Sequence, residues 1–200
     1  MMPFIIGDKF SIPIEYRHYY PIIRACLNNM HNKKEECGKI GYLSIKESFV
    51  SKGLSHRRPG IHTDRAFADL GWGHGWGGGN NFSDRINSGI FLASTQDDMC
   101  RVWNTKITDI KEQGDCEYLR DSLGDGTLMK KNQLFWITDR CPHESLLAKE
   151  NTYRQWFRFV SSDVGIWYAN NSTPNSLGIV PPPECKIIGE SKFFQQKTYF

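Results

Sequence analysis

Two textures alternate along the chain. From Ile14 to about Met30 apolar residues recur at helical spacing (Ile22, Ile23, Cys26, Leu27, Met30), and Pro21 marks a start or a kink. After Gly38 the period changes. Lys39–Val50 alternates and is rich in Ile, Tyr and Phe, which predicts a strand. Further strands are expected at Gly60–Asp64, Ser88–Ser94, Arg101–Ile107, Gln133–Thr138, Tyr153–Ser161 and Val164–Tyr168. Turn signals such as Gly124-Asp125-Gly126 separate them, and no helix pattern intervenes. The reading is a mainly β fold with flanking α, a barrel or sandwich with the leading helix packed outside. It spans 1–200 as one domain: a helical segment 1–38, a β core 39–170 and an extended tail 171–200.

Two stretches resist regular structure. Gly71–Gly79 reads GWGHGWGGG. Ser172–Cys185 is rich in Pro, Asn and Ser and includes Pro181-Pro182-Pro183. The first suggests a lid that closes over a substrate, with Trp72, His74 and Trp76 as contacts beside Arg65. The second is expected to run extended over the surface.

With 39% hydrophobic residues in 200, the chain has enough apolar matter for a real core. A net charge of +3 without a basic stripe gives no footprint for duplex nucleic acid. Arg57, Arg58, Arg65 and Arg85 cluster in sequence and could meet an anionic substrate, though such clusters often form solvated faces. No run is long and apolar enough to span a membrane. The N-terminal ten residues lack a basic segment and read as part of the mature domain. The six cysteines are spread evenly with no C-x-x-C pair, so free thiols in a reducing cytoplasm are expected. The N-x-[ST] matches at Asn81, Asn170 and Asn171 are then coincidental.

Candidate chemistry centres on His62-Thr63-Asp64, an H-x-D at the end of an expected strand. On a strand, residues i and i+2 share a face, so imidazole and carboxylate can address one point. A second histidine would complete a 2-His-1-carboxylate set, which leaves open positions on Fe(II). His143 follows an expected strand and suits that role better than His74 in its glycine loop. Arg154 and Arg158 follow, 11 and 15 residues after His143, on one strand face with Trp156 between them. A buried arginine is costly without an anion, and a carboxylate matches its planar fork. Trp103, Trp136, Tyr42, Asn80 and Asn81 could line the mouth of a barrel. Cys141, near His143, has no second cysteine at zinc spacing and reads as a small buried residue.

This ordered set resembles the Fe(II)/2-oxoglutarate-dependent dioxygenase superfamily over about Lys39 to Tyr168. The arginines at +11 and +15 are most similar to its taurine dioxygenase-like branch, although the chain is short for that branch. The resemblance implies a double-stranded β-helix, or jelly roll. It implies Fe(II) held by His62, Asp64 and His143, and 2-oxoglutarate held by Arg154 and Arg158. It implies hydroxylation of a small molecule or protein side chain with release of succinate and CO2. No R-x-S follows His143, so the choice between Arg154 and Arg158 as main carboxylate partner stays open. Two alternatives stand beside it: a cupin-like metal enzyme that does not use 2-oxoglutarate, and a non-catalytic β-sandwich module.

Overall fold

The computed structural model describes residues 1–64, 89–109, 111 and 114–189. It is mainly β, with antiparallel sheets and few helices. Strand β1 (Met2–Ile5) leads into two short 3-10 turns and helix α1 (Tyr20–Asn28), with Pro21 in its first turn, where a missing N–H is tolerated. A second short helix, α2 (Lys33–Glu36), precedes the long strand β2 (Ile40–Val50). Then come β3 (Ile90–Ser94), β4 (Cys100–Val102), helix α3 (Arg120–Leu123), β5 (Thr127–Leu128) and β6 (Phe135–Ile137). The chain continues through β7 (His143–Ser145), β8 (Thr152–Val160), β9 (Ile166–Tyr168) and β10 (Lys186–Ile188).

The larger sheet runs β1-β2-β8-β3-β6 and the smaller β5-β4-β7; β9 and β10 form a parallel pair. β8 lies between β2 and β3, so both of its edges are hydrogen-bonded. The register places Ser44 and Leu92 beside Arg158, and Lys46 and Ser94 beside Trp156. That face meets the smaller sheet: Tyr42, Leu92, Trp156 and Val160 pack with Cys100, Val102 and Met129. On the opposite face Leu43, Phe91, Phe157 and Phe159 pack under Ile23, Cys26 and Leu27 of α1. Those three helical residues are spaced i, i+3, i+4, one apolar stripe. Burying a ring such as Phe159, fully covered, contributes about 2 kcal/mol.

Several expectations need correction. Gly60–Asp64 is not a strand; His62 makes only isolated bridges. Arg101–Ile107 is regular only to Val102, and β1, β5, β7 and β10 were not anticipated. Short helical turns at Glu117–Leu119 and α3 interrupt the expected helix-free run. The first helical segment is split, with a 3-10 stretch Ile14–Tyr19 before α1. The tail is not purely a surface strap. Asn175 is buried and donates from Nδ2 to the Pro3 and Ser11 carbonyls, both at 2.8 Å, and β10 pairs with β9. All six cysteines are free, and no helix among the described residues is long and apolar enough to cross a membrane.

Candidate active site

The site is assembled by backbone pairing between remote segments. His62 and His143 exchange both amide hydrogen bonds, at 3.0 and 2.9 Å. In an antiparallel pair this puts their side chains on one side, and the ring centroids stand 4.5 Å apart. The other edge of the 61–63 segment is also pinned. Thr63 N–H donates to the Gly114 carbonyl at 2.8 Å, and Cys116 N–H donates to that of Ile61 at 2.9 Å. Ile61 N–H donates to Glu117 Oε2 at 2.8 Å. Arg120 ties the support together by pairing with both Glu117 and the buried Glu144. Ile61, Trp103, Ile107 and Cys116 form the apolar underside.

Each imidazole is held by a backbone carbonyl two residues earlier. Nδ1 of His62 lies 2.8 Å from Gly60 O, and Nδ1 of His143 lies 3.0 Å from Cys141 O. A carbonyl only accepts, so each Nδ1 carries its proton. Burial is the main cause of a lowered pKa in both rings; for His62, the neighbouring His143 adds to it. Both are therefore neutral near pH 7, with Nε2 left as the lone-pair nitrogen. The carbonyl contact fixes the tautomer and the orientation of each ring.

Asp64 is buried and sits on the same cavity, about 80 Å³ in volume, which His62, His143, Cys100, Trp156 and Arg158 also line. Its carboxylate is gripped by Arg158: Nη1 donates to Oδ1 at 3.1 Å and to Oδ2 at 3.0 Å. Among the described residues, no group of three or more His, Cys, Asp or Glu side chains is placed to hold a metal ion. The two histidines stand together, while the carboxylate is turned to the guanidinium.

Arg154 differs from Arg158. It is fully buried. Its Nε donates to Ser94 Oγ at 3.0 Å and its Nη2 to Cys100 Sγ at 3.1 Å, but among the described residues Nη1 has no hydrogen-bond partner and no carboxylate pairs with the guanidinium. A buried cation with an unsatisfied donor is a strong signal of a missing anion. Arg154 does not itself line the cavity; Cys100 does, and Cys100 contacts it. Ser94 and Cys100 carried no sequence signal of this role, because their importance is only their position beside Arg154.

The proposed mouth residues diverge. Tyr42 and Trp103 are core, and Trp136 is exposed on the edge strand β6. Arg65, Trp72, His74, Trp76, Asn80, Asn81 and Arg85 lie outside the described residues. Comparison with known proteins finds no matching family model, no matching curated protein and no matching solved structure.

Proposed function

We propose that the protein is an Fe(II)- and 2-oxoglutarate-dependent oxygenase that hydroxylates its substrate and releases succinate and CO2. The observation that carries this reading is the pair of adjacent, neutral histidines whose Nδ1 protons are tied to backbone carbonyls. The two antiparallel sheets, closed around a core with α1 outside, suit a double-stranded β-helix.

The donor types suit Fe(II): two imidazole nitrogens that stand together, and the Asp64 carboxylate, which would join them only on leaving Arg158. Bound iron would supply oxidation of a C–H bond coupled to oxidative decarboxylation of 2-oxoglutarate, one oxygen atom of O2 going to each product. The chain's own contribution is electrostatic and geometric. His62 and His143 present fixed lone pairs. Asp64, now bound to Arg158, would have to turn from the guanidinium to hold the metal. Arg154 would supply the buried cation for the distal carboxylate of 2-oxoglutarate, whose oxygen would satisfy Nη1. Trp156, between the two arginines, helps to exclude water from the cavity.

The test is anaerobic titration with Fe(II) and 2-oxoglutarate, read by the weak visible charge-transfer band of the chelate. Wild type is expected to develop the band, His143→Ala to lose it, and Arg154→Ala to require much more 2-oxoglutarate. The engagement of Asp64 by Arg158 favours a second reading, a non-catalytic β-sandwich stabilised by a buried ion pair. No band and no retained metal would select it.

A further inference from the structure

A second, larger concavity opens beside the histidine pair. Its volume is about 660 Å³, within the usual range for small-molecule sites. Arg57, Arg58 and Arg158 line both it and the smaller cavity, so the two adjoin. Lys46 lies further along the larger one, with Ser44 and Asn171 among its polar neighbours. None of its described lining residues is Asp or Glu.

Both cations are exposed, and each has one contact that directs it. Lys46 Nζ donates to the His56 carbonyl at 2.9 Å. The Arg57 guanidinium stacks 4.2 Å from the Trp156 ring centroid, which leaves its planar N–H edge for another partner. Among the described residues no carboxylate pairs with Lys46 or Arg57. Partial loss of water around the charge, then neighbouring cations, lowers the pKa of Lys46; the same loss, then Arg158, pushes Arg57 down to about 10 against an opposing pull from Asp64. Like charges crowded in a concavity repel each other, and an anion placed among them removes that repulsion.

We infer that this groove binds the substrate by an oxyanion group, of phosphate type, gripped by Lys46 and Arg57, with the rest of the molecule reaching the histidine pair. The cations are gathered in one concavity and the chain carries a net charge of only +3, which suits a compact anionic metabolite rather than a nucleic-acid backbone. Which end of the substrate is oxidised rests on the oxygenase reading; the anion site does not.

The experiment is calorimetric titration of the full chain with inorganic pyrophosphate, without added metal, at low and at physiological salt. Expected is saturable binding that weakens with salt. Lys46→Met with Arg57→Met should weaken it at least tenfold, and Lys46→Arg should restore most of the affinity lost in Lys46→Met. Methionine keeps the packing on Trp156, and an unchanged thermal midpoint shows that the double variant is folded. Undiminished binding in the folded double variant, or no binding by wild type at low salt, overturns the proposal. So does a 12-nucleotide oligothymidylate that binds tenfold more tightly than pyrophosphate. Because no iron is present, these outcomes are read independently of the charge-transfer titration.

Discussion

Arg154→Met should make the ligand-free protein more stable and unable to use 2-oxoglutarate. The wild-type side chain is fully buried and, among the described residues, has one donor nitrogen unsatisfied and no counterion. An unsatisfied buried donor costs about 1–3 kcal/mol, more when charged. Replacing buried ionic groups with apolar residues of similar volume is often neutral or stabilising by about 1–4 kcal/mol. Against this stand two lost hydrogen bonds, one to a weak sulfur acceptor. Ser94 Oγ keeps its contacts with Gln96, so it is not orphaned. The balance is a gain of about 1–2 kcal/mol, or about 3–6 °C in thermal midpoint for a chain of this size. Methionine is unbranched and adapts to the vacated space. With Fe(II) present throughout, 2-oxoglutarate at about 100 times its dissociation constant should stabilise wild type by about 2.7 kcal/mol and leave the variant unchanged. The order of stabilities then reverses between the two conditions. Urea denaturation under anaerobic conditions in Fe(II), with and without 2-oxoglutarate, measures it. A variant more than about 2 kcal/mol weaker without ligand would refute the reasoning and make Arg154 structural.

Two further outcomes follow from the geometry. Burial pushes His56 down to about 4, and the two site histidines shift the same way. A histidine kept neutral in the fold but protonated when unfolded supports stability above its ordinary pKa near 6.5 and loses that support as pH falls toward about 4. Metal-free protein should therefore lose thermal stability across that window, and His56→Gln should flatten part of the slope while retaining a partner for Ser48; an unchanged slope would exclude His56 as a contributor. Gly126 has φ +65°, and a Cβ there would lie 2.8 Å from Trp103 Nε1 and 3.0 Å from Arg101 Cγ. Gly126→Ala should cost about 2–3 kcal/mol, whereas Gly178→Ala, at φ +77° with open space around it, should cost about 1 kcal/mol. Equal losses by chemical denaturation would show that only backbone strain matters at Gly126.

Local pattern alone determined the mainly β class, the positions of β2, β3, β8 and the apolar stripe of α1, because periods of two and of 3.6 are written into neighbouring residues. It also singled out His62, Asp64, His143, Arg154 and Arg158, whose residue types have few uses together. It overcalled a strand at Gly60–Asp64, where the backbone is extended by pairing with His143 and the 114–116 segment rather than by its own propensity. Only the tertiary structure could separate the two arginines. Both point to the same face of β8, but Arg158 meets Asp64 whereas Arg154 meets Ser94 and Cys100 and retains an unsatisfied nitrogen. Only the fold could gather Lys46 and Arg57 into one groove. Charge balance and hydrogen-bond satisfaction depend on which remote groups come within a few ångströms, and spacing along a chain carries no record of that.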